Sequence, residues 1–345
     1  MPVLVDEGDG ETPLQLPASL DVNPLKLFDI AKSERRPLYT AAPMLAFRET
    51  VAQYGTDLTW TPMILAKEFN RSLFARDSDF TISPAAPPTI VQFGCNSPHE
   101  LSRATEFLAP YVNGVDINCG CPQSWACAET LGAALMHKRE LVASMVKAAK
   151  SALVSLGHQD TKTVSVKIRI HKDLRETMDF IKTVEAAGVD FITIHGRMRS
   201  TPSSQPVNLE AIRLLTEQTT VPTLSNGDVF TLEDAKEHVR ATGVDGLMSA
   251  RGILQNPALF SEGRENGCGW DVVEAFMNNV IRAPIPFRLV MHHLTEMTGS
   301  DHSQQGKTLL TKEERHKLLD CGGMVEVIDF LDEVREGSLR RDHSR

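Results

Sequence analysis

Two cysteines flank a glycine and precede a proline in the stretch DINCGCPQ, residues 116 to 123. That pattern allows three chemistries: a metal clip, half of a disulfide, or a reactive thiol at the end of a strand. A zinc clip draws on two pairs of ligands, and no second pair follows Cys119 and Cys121 downstream. Disulfide scaffolds belong to short chains dense in cysteine, whereas Cys95, Cys119, Cys121, Cys127, Cys268 and Cys321 are scattered through 345 residues. Cys95, Cys119, Cys268 and Cys321 read as buried structural thiols. Cys121 differs because Gly120 and Pro122 bracket it in a rigid bend. A thiol with an ordinary pKa of about 8.5 is mostly protonated at neutral pH, which suits a general acid.

A thiol placed in this way needs a scaffold, and the chain shows one. From residue 37 onward, short β-branched or apolar runs alternate with helical patterns. The runs are PLYTAAP, LTWTPMIL, TIVQFG, GVDINC, TVSVKIRI, FITIHG, VPTLSN and GLMSA. Alternation of this kind marks βα units and a parallel sheet. The intervening helices carry their own signals. Ser97 with Pro98 and Glu100 forms a capping box before Leu101, Ala104 and Leu108; Thr231 caps the face of Leu232, Ala235 and Val239; Gly188 follows Met178, Ile181 and Val184 as a helix stop. Eight such units predict a TIM (β/α)8 barrel, an α/β fold. An open dinucleotide-binding sheet would want a G-x-G-x-x-G turn after the first strand, and APMLAF has none. The alternation stops near residue 260. The expected organisation is a mobile segment over 1–24, the barrel over 25–264, and two or three helices forming a small domain over 265–345.

Composition narrows the partners. A hydrophobic share of 41% and a charged share of 23% are those of a soluble globular protein. No apolar run reaches the roughly 18 residues of a membrane span, and the acidic start is unlike a signal peptide, so cytoplasmic or nuclear residence is expected. The net charge of -9 excludes nucleic-acid binding through bulk positive charge. An RNA partner must use a local basic surface.

In a parallel barrel the reactive groups gather at the carboxyl ends of the strands. Glycine-bearing turns after the seventh and eighth strands, SNGD (225–228) and SARG (249–252), can wrap a phosphate that Arg251 neutralises. Gln92 and Lys167 project from otherwise apolar strands, and an ammonium there needs an acceptor or an anion. A flavin mononucleotide, with ring carbonyls and a phosphate, satisfies Gln92, Lys167 and Arg251 together. His195 beside Arg197 faces the same ligand.

In order and spacing, APM, VQFG, DINCGCPQ, VKIR, IHGR, SNGD and SARGILQNPALF resemble the tRNA-dihydrouridine synthases, most closely the eukaryotic subfamily acting on positions 20a and 20b of the tRNA D loop. The likeness runs from about residue 24 to 260 and weakly through the tail. It implies that NADPH reduces FMN and that the flavin passes a hydride to C6 of a uridine while a cysteine protonates C5. By motif, Cys121 is then the proton donor, with Asn118 beside it placing substrate or flavin. Pro43, Met44, Gln92, Lys167 and His195 line the flavin; Asn226, Gly227, Asp228, Ala250, Arg251 and Gly252 hold its phosphate. A basic strip of Lys167, Arg169, His171, Lys172 and Arg175, with Arg197 and Arg199, would meet RNA phosphates. No metal is implied. The chain departs from the family pattern where APMLAFRETV runs straight on, shorter than the usual first βα loop. Two other readings compete: an FMN-dependent dehydrogenase of a free pyrimidine, and a tRNA-binding protein without catalysis.

Overall fold

The computed structural model describes residues 3–4, 16–41, 45–264, 267–299 and 308–342. Eight parallel strands form its centre: β1 (Leu38–Ala41), β2 (Leu58–Trp60), β3 (Thr89–Gly94), β4 (Gly114–Cys119), β5 (Thr163–Arg169), β6 (Phe191–His195), β7 (Thr223–Asn226) and β8 (Gly246–Ser249). Each pairs with the next, and β8 pairs back onto β1, so the sheet closes into the expected TIM barrel with helices outside. The stretch LTWTPMIL does not form one strand. Pro62 lacks the N–H a ladder needs, and the chain resumes as a two-residue strand, Ile64–Leu65, beside the end of β3.

Closure gives the barrel an inside, and its lower half is apolar. Leu38, Leu58, Trp60, Ile90, Phe191, Leu224 and Met248 fill it, and Phe28 from the helix Pro24–Ser33 plugs the amino-terminal end. The Phe191 ring lies 5.4 Å from Phe28 and 6.0 Å from Trp60. That helix starts where Asn23 accepts the Leu25 N–H at 2.8 Å, with Pro24 at the first turn. Much of the segment expected to be mobile lies outside the described residues, but its end is anchored. Asn113 donates to the Val22 carbonyl at 2.9 Å and Lys162 to that of Leu20 at 2.8 Å.

Helices around the barrel begin and end where local signals put them. Thr231 and Asp234 form a reciprocal capping box, and Gly188 follows the helix Leu174–Ala186 with φ +90°. Ser97 caps the helix Pro98–Leu108, but Glu100 does not complete the box: its carboxylate accepts from Asn70, which reaches it from a neighbouring helix.

Past residue 265 the described chain forms four helices rather than two or three: Trp270–Arg282, Phe287–Thr298, Lys312–Asp320 and Met324–Asp342. Pro284 and Pro286 break the first from the second, and Gly322 with Gly323 separates the last two. This tail docks on the helix Leu45–Ala52, which follows β1. Phe47 stacks on His293 at 4.5 Å and meets Phe276 edge-on at 5.9 Å, while Asn279 donates to the Thr50 hydroxyl at 2.8 Å. No helix among the described residues is long and apolar enough to cross a membrane.

Replacing Phe191 with alanine empties the barrel floor and is expected to cost about 3–5 kcal/mol. Urea unfolding followed by circular dichroism measures it; an unchanged midpoint would remove the floor packing from the stability argument.

Candidate active site

Side chains alternate across a strand, so fixing the apolar floor fixes what lies above it. Two residues up from Ile90, Phe191 and Leu224 come Gln92, Thr193 and Asn226, and two further on β6 comes His195. On the strands between, Asp116 and Asn118 share one face of β4, and Ser165, Lys167 and Arg169 share one face of β5. The register sets Gln92 opposite Asp116, Asn118 opposite Lys167, and His195 opposite both Arg169 and Asn226. The upper half of the barrel is therefore a ring of polar groups over a hydrocarbon floor.

Asp116 is fully buried. Burial pushes its carboxyl up to about 6, while hydrogen bonds from Ser165 and Gln92 hold it back. At neutral pH it is a carboxylate that accepts the Ser165 hydroxyl at 2.6 Å and the Gln92 amide nitrogen at 2.7 Å. Committing that nitrogen turns the Gln92 carbonyl toward Asn118, which donates to it at 2.6 Å. The Asn118 carbonyl in turn accepts from the backbone of Gly120 at 3.0 Å and of Cys121 at 2.8 Å. A four-residue relay thus ends on the backbone of the thiol.

The other side of Cys121 is clamped as well. Its carbonyl accepts from Ala133 N at 2.9 Å and from the Cys127 thiol at 3.7 Å. Gly132, at φ +58°, lies so close that a Cβ there would stand 2.5 Å from the Cys121 carbonyl oxygen. Cys121 is half-buried, whereas Cys119 is fully buried with its thiol pushed well above the ordinary range. Cys95 is also buried and raised to about 11. Cys321, read from sequence as buried, is partly exposed because it terminates the surface helix Lys312–Asp320.

Cations surround the rest of the mouth. The Lys167 ammonium donates to the Asn226 carbonyl at 2.7 Å, and Asn226 donates to Met248 O at 2.7 Å. Burial, reinforced by Arg169, lowers Lys167 to about 8. Arg169 donates to Gly120 O at 2.6 Å and to Met198 O at 3.1 Å, one peptide away from the thiol. His195 is pushed down to about 2, by burial first and then by Lys167, Arg169, Arg197 and Arg251, so its imidazole stays neutral.

Arg197, expected from sequence to meet substrate, is engaged by the chain's own acceptors. Its side chain is only 2% exposed, and its N–H groups are taken by the carbonyls of Ser203 and Gln205 and by Asp228. It ties the loop after β6 to the turn after β7. His171 is likewise withdrawn from the basic strip, its two ring nitrogens engaged by Thr177 at 3.0 Å and Met136 O at 3.1 Å. Arg175 pairs with Asp173 at the surface, while Lys172 and Arg199 are exposed.

The two glycine turns meet at Asp228. Gly227 (φ +118°) and Asp228 (φ +52°) turn the chain so that the Asp228 carboxylate accepts from Arg197, from Val207 N at 3.0 Å and from Arg251 at 2.9 Å. Asp228 therefore positions Arg251, which also lies 5.3 Å over the Phe230 ring, with its guanidinium about half exposed. Gly252 is required because a Cβ would fall 2.0 Å from Val229 O. Ala250 is the residue before the short helix Arg251–Gln255. Pro43 and Met44 lie outside the described residues. Sequence reasoning missed Asp116 and Ser165; the available signal was a carboxylate at an inward position of an apolar strand, two residues before Asn118.

The sequence pattern of the dihydrouridine synthases (Dus) matches residues 40–324. The chain is 42% identical over 316 residues to the tRNA-dihydrouridine(20a/20b) synthase [NAD(P)+] of Schizosaccharomyces pombe, covering 90% of this chain and 91% of that protein. It is 43% identical over 265 residues to the tRNA-dihydrouridine(20a/20b) synthase [NAD(P)+]-like protein of Homo sapiens, 76% of this chain and 81% of that one. It is 38% identical over 314 residues to the tRNA-dihydrouridine(20a/20b) synthase [NAD(P)+] of Saccharomyces cerevisiae, 88% of this chain and 82% of that one.

Asn118→Ala removes the acceptor shared by Gly120 and Cys121 and leaves the Gln92 carbonyl unpaired. Buried groups left without partners cost about 1–3 kcal/mol each, so a lowered thermal midpoint is expected by calorimetry. A midpoint equal to the parent's would show that the relay carries no load.

Proposed function

The chain belongs to the dihydrouridine synthase family, and from that premise we propose that it reduces the C5–C6 bond of D-loop uridines in tRNA, at positions 20a and 20b by its similarity to the relatives above. FMN is the cofactor in this reading and NADPH the reductant. The observation that carries it is the clamping of a half-buried thiol, Cys121, at the rim of a donor-rich barrel mouth.

The donor set fits a flavin nucleotide. Gln92 and Lys167 each spend one N–H on a protein acceptor and keep at least one more for ring carbonyls. Neutral His195 brings no further charge. Arg251, held at the turns after β7 and β8, suits the phosphate, and Asn226, Gly227, Ala250 and Gly252 supply the turn backbone around it. Asp228 acts through Arg251 rather than on the phosphate, since a carboxylate would repel it. Pro43 and Met44 complete the lining by resemblance. Held there by Gln92, Lys167 and Arg251, FMN would supply the hydride chemistry for C6 of the uracil, with NADPH as the source of the reducing equivalents.

The chain's own residues provide the rest. The Cys121 thiol gives its proton to C5, and the thiolate left behind lies within the field of Lys167 and Arg169, which stabilise it until solvent returns the proton. Asn118 fixes the thiol's backbone and keeps an N–H for a uracil carbonyl. A uridine must leave its stack to enter, and exposed Lys172 and Arg199 suit the flanking phosphates. In the same reading the helices of 265–345, docked on Phe47, form the other wall of the RNA cleft.

The test is to incubate the purified chain with FMN, NADPH and unmodified tRNA and to map dihydrouridine by mass spectrometry; no product at the D loop would overturn the reading. Cys121→Ser is expected to keep flavin and tRNA binding while slowing single-turnover product formation by roughly 10²–10⁴-fold, because a hydroxyl is a far weaker acid. Arg251→Ala is expected to weaken FMN binding on the order of tenfold or more through loss of a charge-assisted contact, read as flavin absorbance lost on dialysis. A variant that stays fully yellow would exclude Arg251 from the phosphate site.

A further inference from the structure

Trp125 sits four residues past Cys121 in the short helix Ser124–Ala128, and it is 45% exposed. The other two tryptophans are accounted for by packing: Trp60 fills the barrel floor and Trp270 packs on the tail core. Trp125 belongs to no described hydrophobic cluster and makes no described ring contact. Its indole N–H is spent on the neighbouring Gln123 side chain, which leaves the ring face as its unused surface. The backbone beneath it is firm. Cys127 N bonds Gln123 O at 3.0 Å, Leu131 N bonds Ala126 O at 2.8 Å, and Ala133 N returns to Cys121 O. Four residues of chain limit the Trp125 and Cys121 α-carbons to about 14 Å apart.

The turn that packs on this helix ends at Lys138. The turn Gly132–His137, which packs against the Trp125 helix, leads into an open cavity of about 470 Å³ bordered by Lys138 and Arg139. Arg139 is balanced by Asp179 and Glu140, and Glu176 also borders the cavity, but Lys138 has no ion pair among the described residues. An exposed aromatic face on a firm backbone is a stacking platform of the kind that holds single-stranded nucleic acid, and Lys138 ends the turn that packs on its helix.

We propose that Trp125 is a positioning residue that stacks on the nucleobase next to the target uridine, with Lys138 drawing in the adjoining phosphate. Flipping the uridine leaves its neighbour's face unstacked, and the indole replaces the lost contact. This rests on the tRNA reading above.

The test compares Trp125→Ala and Trp125→Phe in the FMN-loaded protein, with an unchanged flavin spectrum certifying the fold. The alanine variant is expected to raise the KM for tRNA about tenfold with a smaller change in kcat, and phenylalanine to restore most of it. tRNA should quench the exposed-indole emission of the wild type, and Trp125→Phe should abolish that quench. Quenching without dihydrouridine formation would keep the stacking and sink the reductase reading. Bound tRNA without quenching, or an alanine variant with unchanged kcat/KM, would overturn the stacking alone; no tRNA binding at all would overturn both.

Discussion

Asp116 is a carboxylate with no solvent contact, and in such a place an acceptor must be matched by donors whose positions are then no longer free. Ser165 and Gln92 are those donors. Because an amide has two different ends, satisfying one end of Gln92 dictates the other, and the choice passes through Asn118 to the backbone of Cys121. The thiol is oriented from inside the barrel by a charge that never touches it. From outside, Ala133 and the close approach of Gly132 hold the same residue, so the bend cannot relax in either direction.

A second balance concerns the cations. Lys167, Arg169, Arg197 and Arg251 converge on one imidazole, and among the described residues Asp116 and Asp228 oppose them. Burial first, and the surplus positive charge after it, keep His195 neutral, and the same surplus makes the mouth receptive to an anion. Asp228 divides the arginines by role. It shares Arg197 with loop carbonyls, which makes that guanidinium scaffold, and it holds Arg251 from one side only, which leaves half of it open.

The tail is part of the same construction. The helix after β1 lies between the barrel and the tail, with Phe47 wedged against Phe276 and His293. The apolar cluster that contains Tyr39 and Leu247 from the barrel continues into Leu294 and Val327 without a break.

Much of this was legible in the sequence. The eight strands, the capping residues Ser97 and Thr231, and the glycine turn at 227 follow from local rules: inward and outward alternation, the need of helix ends for acceptors, and the backbone freedom of glycine. Pro62 splitting a strand belongs to the same class, since a missing N–H is a property of one residue. Only the tertiary structure decided which polar side chains work on the chain itself. Arg197 and His171 look like rim cations until Gln205, Asp228, Thr177 and Met136 arrive from elsewhere and occupy them. A buried polar group takes whatever partner the fold brings within hydrogen-bond reach, and that proximity is set by the packing of distant segments rather than by the neighbours in sequence.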